Sequence, residues 1–268
     1  DHHEINKPYP KCDALINPKK VIQNKESTLL CATALTYFFI DILIKKTNSN
    51  FKLSNFLIFV LLATICDVMP LRKINKIIAH NTISNFNLKD NKALNYIFEQ
   101  YNLKKKLTIE DLGFLIGPII NAGGRLNNSK YGVELLSTDD LEIIKDRSKK
   151  LINLNNKRKI IEQNILDEID FEKIKKETKD VVIYYRNNLN EGLIGIIASK
   201  LKDYFNKPSI VITKSNNKLK ASARSTSFYN IGNLIKLLID NNIVDSGGGH
   251  NMAAGFTIKK NNIKLLDD

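Results

Sequence analysis

Between residues 180 and 258 the chain alternates short β-type runs with segments of helical period, and few folds accommodate that order. "DVVIYY", "PSIVIT", "KLKASAR" and "AAGFTI" read as strands, while "EGLIGIIASKLKDYF" and "NIGNLIKLLI" read as helices. Strands and helices in turn argue for a small α/β domain, because each strand buries its apolar face against a helix.

The preceding residues read differently. "CDALINP" looks like a short buried strand that stops at Pro18. "STLLCATALTYFFIDILIKK" has a Ser-Thr start and a lysine finish, so it predicts a helix. "NFLIFVLLATICDVMP" is a second apolar element, stopped at Pro70, with Asp67 at its end. A carboxylate there is costly unless a cation or hydrogen-bond donors satisfy it. Residues 89–137 predict short helices around a Gly-rich elbow, "IGPIINAGGRL". From Thr138 to about Lys176 the apolar residues recur at three- and four-residue spacing, as one long amphipathic helix requires. Thr138 reads as its N-cap, with acids following. This divides the chain into a first domain over 1–137, a connector helix over 138–177 and a second domain over 178–268.

The 268 residues carry a formal net charge of +13. Such a balance favours an anionic partner, nucleic acid before a membrane surface. An AT-rich genome, which enriches Lys, Asn and Ile, accounts for it equally well. Cys12, Cys31 and Cys66 are odd in number and none are at metal-ligand spacing, so they read as small buried side chains in a reducing cytoplasm. The apolar runs "LLCATALTYFFI" and "FLIFVLLATIC" fall short of the ~20 residues of a membrane span and read as core helices.

The side chains that carry chemistry are few. Of four histidines, His2 and His3 are adjacent and follow Asp1, and His250 follows Gly247, Gly248 and Gly249. Adjacent histidines on extended backbone point apart, so that one ligates a metal while the other faces substrate. Asp1 and Asp67 would supply oxygen ligands for Mn²⁺ or Mg²⁺. A surface turn or the remnant of an expression tag reads equally from "DHH" alone. The three glycines would let backbone approach an anion and form a nest of N–H groups, with His250 donating to a phosphate oxygen. A tight turn between two strands is the other reading. Arg125 in "NAGGRL" and Arg224 in "SARS" stand among small residues in a chain otherwise dominated by Lys. A guanidinium fork grips phosphate in two places, where Lys acts as a point charge. Ordinary surface arginines are the alternative.

Together these stretches resemble a known family. "DHH" at 1–3, "CDVMP" at 66–70 and "IGPIINAGGRL" at 116–126 are similar to the DHH phosphoesterase superfamily. "NEGLIGIIASKL" at 190–201, "KASARS" at 220–225 and "GGGHNMAAGFTI" at 247–258 resemble its DHHA1 partner domain. The more specific resemblance, carried by the "NAGGR" element and the long connector, is to the bacterial RecJ exonucleases. It implies the α/β C-terminal part of a DHH phosphoesterase domain, a connector helix and a small α/β DHHA1 domain. It implies 5′→3′ hydrolysis of single-stranded DNA in recombination and repair, with two divalent ions, Mn or Mg. His2 and Asp67 would be metal ligands; His3 would orient the scissile phosphate and Asp1 would support the pair. Asn121, Arg125, Ser222 and Arg224 would bind the substrate phosphate, with Gly248, Gly249 and His250 lining the second domain's cradle. The resemblance further implies a cytoplasmic monomer whose partners are single-stranded DNA, a single-strand-binding protein and a helicase, and no membrane.

The chain also departs from the family. The family's Asp-x-Asp occurs nowhere in it, so the metal centre is incomplete and the chain reads as a fragment beginning inside the phosphoesterase domain, inactive alone. The C-terminal OB-fold expected of the family is absent from the sequence. Leu189-Asn190-Glu191 stands where the family often has Trp-His. Two other functions fit the shared motifs: a phosphodiesterase of short oligonucleotides or cyclic dinucleotides, and a non-catalytic single-stranded-DNA-binding relative.

Overall fold

The computed structural model describes all residues except 1, 4, 6, 7, 21–25, 127, 178, 216, 217, 267 and 268. The chain forms two compact units, Asp1–Asn121 with Lys130–Ile152, and Ala122–Ser129 with Asn153–Asp268.

The described part of the first unit is helical. In chain order come α1 (Ala32–Thr47), α2 (Leu57–Cys66), α3 (Lys73–Asn85), α4 (Lys92–Gln100), one turn α5 (Ile109–Asp111), α6 (Gly117–Arg125), α7 (Lys130–Leu136) and α8 (Leu141–Asp167), of which α6 and α8 begin in the first unit and end in the second. Helix α1 ends where lysines enter and Asn48 takes the left-handed conformation, φ 51°. Helix α2 buries Ile58, Val60, Leu61, Leu62 and Thr64, which together reach round most of its circumference. It therefore lies inside the unit, packed with Leu94, Ile97, Phe98, Leu112 and Ile116.

Four sequence expectations are corrected by the structure. Cys12–Pro18 is not a strand: the Asn17 amide donates to the His3 carbonyl at 3.0 Å and accepts the Lys19 N–H at 2.9 Å, which folds the stretch into a local turn. Cys12 is exposed, unlike Cys31. The Gly-rich elbow is helical: a π turn, Leu112–Ile116, runs straight into α6. Gly117 serves close packing, since a Cβ there would stand 2.6 Å from Cys66 Sγ, as does Gly113 in the π turn, 3.2 Å from the Ile65 side chain, whereas a Cβ on Gly124 would meet open space. The connector is shorter than expected. Asp140, not Thr138, caps α8, its carboxylate accepting the N–H groups of Glu142 at 2.8 Å and Ile143 at 3.3 Å. The helix stops at Asp167, and Asp170 caps a separate short helix, α9 (Phe171–Lys176).

The second unit holds β1 (Val182–Tyr185), α10 (Glu191–Phe205), β2 (Ser209–Ser215), β3 (Lys218–Arg224), α11 (Ile231–Asp240), β4 (Ser246–Gly249) and β5 (Ala253–Ile258). One sheet has the order β1-β2-β3-β5-β4. The β1–β2 pair, joined through α10, is parallel and every other pair is antiparallel. Central β2 is buried on both faces, which explains its unbroken apolar run. Val211 packs with Leu193, Ile197 and Leu201 of α10, whereas Ile210 and Ile212 pack with Ile231 and Ile235 of α11. In β3 the same alternation sends Leu219, Ala221 and Ala223 to the core shared with α11 and frees Lys220, Ser222 and Arg224 for the other face.

The glycine triplet is strand β4, which its composition conceals. No described glycine has positive φ, so the triplet forms no N–H nest. It is one side of a hairpin, closed by His250 N–H to the Ala253 carbonyl at 2.8 Å. A Cβ on Gly247 would lie 2.6 Å from Phe256 Cβ, and one on Gly249 2.4 Å from Ala254 Cβ; Gly248 faces open space. Gly249→Ala is therefore expected to cost about 1–3 kcal/mol, and Gly248→Ala no more than about 0.5 kcal/mol. Urea denaturation of the two variants checks this, and equal losses would contradict the packing.

Candidate phosphate-binding cleft

The second unit carries a cleft of about 480 Å³ between the start of α10 and the polar face of β3, lined by Arg125, Gly192, Gly195, Ser222 and Arg224 among others. Strand alternation puts Lys220, Ser222 and Arg224 on one face, and a spacing of three puts Gly192 and Gly195 on one side of α10. Gly192 is required by close approach of backbone, and Gly195 leaves room for the Arg224 and Ser222 side chains. A Cβ on Gly195 would lie 2.8 Å from Arg224 Nη2 and 3.1 Å from Ser222 Oγ, and one on Gly192 would lie 2.3 Å from the Arg125 carbonyl oxygen.

The guanidiniums are held from behind. Arg125 Nη1 donates to the Gly192 carbonyl at 2.9 Å, while Arg224 Nη1 donates to Ser222 Oγ at 3.0 Å and the Ala223 carbonyl at 2.8 Å. Each fork has five N–H donors, so most remain for a ligand. Burial, then the charge of Arg125, lowers the pKa of Arg224. Burial, then Arg158, lowers that of Arg125, against the opposing pull of Glu162. Among the described residues neither arginine has a carboxylate within ion-pair distance. The cleft's one lysine, Lys220, is paired at 2.5 Å with Glu191, whose carboxyl it holds below the usual range together with Ser215. The net charge of the cleft thus comes from two guanidiniums, an arrangement that accepts a compact oxyanion.

The other expected residues lie elsewhere. Gly248, Gly249 and His250 are outside the lining; Ser246 and Gly247 are the residues of β4 that reach it. Asn121 is exposed on α6 and belongs to the first unit. Gly192, Gly195 and Lys220 are lining residues that the sequence does not single out, although the G-x-x-G spacing in α10 and the alternation in β3 carry the signal for them; of the glycine triplet, only Gly247 reaches the lining.

In the first unit Asp1 lies outside the described residues. The His2 and His3 rings do not diverge as expected: their centroids are 4.4 Å apart and their planes 33° from parallel. Asp67 is exposed rather than buried at the end of α2, which removes the desolvation cost read from the sequence. No three described His, Cys, Asp or Glu side chains come together as a metal site, so His2, His3 and Asp67 make an incomplete ligand set by themselves.

Asp67 is followed by a strained residue. Met69 N–H donates to the Thr64 carbonyl at 2.9 Å and Val68 N–H to that of Ile65 at 3.1 Å, the hydrogen-bond pattern of a helix that ends on glycine. Here the left-handed position is occupied by Val68, φ 53° and 85% exposed. A β-branched residue there costs roughly 1–3 kcal/mol, more than the about 0.5–1 kcal/mol of freedom that glycine loses on folding.

The sheet and its two flanking helices define the class of this part of the chain, a small α/β module: residues 178–268 match the DHHA1 domain. The chain is homologous to the RecJ exonucleases over nearly its whole length. It is 30% identical to the single-stranded-DNA-specific exonuclease RecJ of Haemophilus influenzae, covering 97% of this chain and 48% of that protein. It is 27% identical to RecJ of Bacillus subtilis, covering 99% of this chain and 34% of that protein. The fold is similar to that of RecJ from Thermus thermophilus in complex with Mn²⁺, with TM-score 0.85 and 20% identity over 99% of this chain and 39% of that one. The chain spans about half the length of the first of these relatives. No described helix is long and apolar enough to cross a membrane.

Replacing Val68 by Gly is expected to raise stability by about 1 kcal/mol, the difference between the strain released and the entropy lost. Chemical denaturation measures it; a destabilised Val68→Gly would show that the turn is not strained.

Proposed function

We propose that the chain is part of a 5′→3′ exonuclease acting on single-stranded DNA, and that Arg125, Ser222 and Arg224 hold the 5′-terminal phosphate. One observation carries this reading: two partly buried guanidiniums line one cleft, neither has a carboxylate within ion-pair distance among the described residues, and backbone carbonyls fix their orientation. A terminal phosphate monoester is a dianion at neutral pH and presents three acceptor oxygens, whereas an internal phosphodiester carries one charge. Two adjacent cations therefore favour the end of a strand over its interior. Glycine at 192 and 195 keeps the approach open, and gripping the end fixes how far along the strand the reacting bond lies.

The chemistry itself is assigned to the first unit, with Asp1, His2, His3 and Asp67 as the catalytic group and His2 and Asp67 as metal ligands. Divalent-metal dependence is supported by the homology to RecJ, whose Thermus protein was crystallised with Mn²⁺ and with Mg²⁺. The described residues by themselves form an incomplete ligand set. The reading extends to a monomer working in recombination and repair beside a single-strand-binding protein and a helicase.

In the complete protein, Arg224→Ala should weaken use of 5′-phosphorylated strands roughly 10- to 100-fold, as loss of a charge-assisted contact implies, and spare 5′-hydroxyl strands. Equal loss on both would refute end recognition. His2→Ala should abolish Mn²⁺-dependent digestion and reduce Mn²⁺ binding measured by paramagnetic resonance, with strand binding kept. An active variant that binds Mn²⁺ normally would remove His2 from the ligand set.

A further inference from the structure

Immediately beyond the cleft, the segment Ser225–Asn230 joins β3 to α11, and it is built rather than slack. Ser225 is fully buried, its N–H donating to the Met252 carbonyl at 2.9 Å and its hydroxyl to the Tyr229 carbonyl at 2.7 Å. The Asn230 amide donates to the Asn251 side chain at 2.7 Å, and Ile231 N–H to the Asn251 carbonyl at 3.1 Å. These bonds stitch the segment to the turn of the β4–β5 hairpin. Arg224 is itself the register partner of Ala253, the residue after Met252. Cationic cleft and stitched lip thus share one end of the sheet.

On that lip sits Phe228, 95% exposed, the most exposed large apolar side chain among the described residues. Tyr229, 44% exposed, follows it in the chain, and Met252, 46% exposed, lies on the hairpin turn whose carbonyl receives the Ser225 N–H. A Phe in this setting adds nothing to the core and has no ring contact with another described aromatic. Scattered apolar residues on a surface need no explanation. A hydrogen-bonded lip that presents an aromatic four residues from a site-facing arginine is a different case. The pairing fits a ligand that is anionic at its end and offers flat, unpaired π-faces just behind it. Single-stranded nucleic acid has that form; a duplex keeps its base faces stacked inside.

We propose that Phe228 is a stacking platform for a base near the 5′ end of the strand whose terminal phosphate lies between Arg125 and Arg224. This rests on the phosphate reading given above and adds a specificity-determining residue to it. Phe228 selects strands whose bases are free to stack, independently of sequence, while the arginines select the end.

The chain contains no Trp, so Phe228→Trp places a single indole on the lip. Titration of the 268-residue chain with a 5′-phosphorylated oligothymidylate should quench that indole in parallel with binding followed by fluorescence anisotropy of a labelled strand. Phe228→Ala should weaken binding roughly 5- to 100-fold, Phe228→Tyr should restore it, and an abasic strand with the same 5′-phosphate should not discriminate between the variants. Unchanged indole emission on binding, or equal loss on the abasic strand, overturns the platform. A Phe228→Ala variant that changes the mass in sedimentation and not strand affinity makes the residue a protein contact, which also overturns it. The two readings separate through Arg224→Ala. If that variant binds phosphorylated strands normally, the phosphate site falls while indole quenching still decides Phe228; if it binds weakly and Phe228→Ala does not, the platform alone falls.

Discussion

Two like charges partly withdrawn from water organise the second unit. A guanidinium out of bulk solvent must find acceptors of its own, and a second beside it raises the cost further. The fold meets this cost with backbone. The Gly192 carbonyl receives Arg125, the Ala223 carbonyl and Ser222 hydroxyl receive Arg224, and Gly192 and Gly195 bring α10 within reach. Remove either glycine and a methyl group occupies the space that brings helix, strand and arginines together. What these contacts leave over is positive charge with most of its N–H donors still unused.

The first unit shows a comparable device in which shape, not charge, is under tension. Helix α2 is packed on most sides, and the π turn and the start of α6 are seated against its last residues through Gly113 and Gly117. Its end is closed by a valine in a backbone conformation that suits glycine. Burial pushes the neighbouring Cys66 thiol up to about 11, with Asp67 adding to the effect, so it stays protonated at neutral pH. The helix therefore delivers Asp67 to one defined place on the surface.

Much of the second unit is legible in the sequence because its signals are local. The β-type run over Lys218–Arg224 has the bounds that β3 has in the structure, and its two-residue alternation already places Ser222 with Arg224. Strand β4 is not legible, because Gly247 and Gly249 are dictated by Phe256 and Ala254, partners known only once the hairpin exists. The same holds for Arg125 and Gly192, 67 positions apart, which no spacing rule connects. "IGPIINAGGRL" misleads for a related reason: glycine signals a bend locally, whereas here Gly117 answers to Cys66 on another helix. Thr138 and Asp140 are both good caps, and the carboxylate that takes two N–H groups is the one used.

The two ends of the sheet have a bearing on how the protein behaves in a crowded solution. Strands β1 and β4 form its borders, and each is only four residues long. An outer strand is a template on which another chain can add itself, and brevity together with poor β-forming residues discourages that. Three of the four residues of β4 are glycine. The triplet that lets the hairpin close thus also makes that border a poor seed for aggregation.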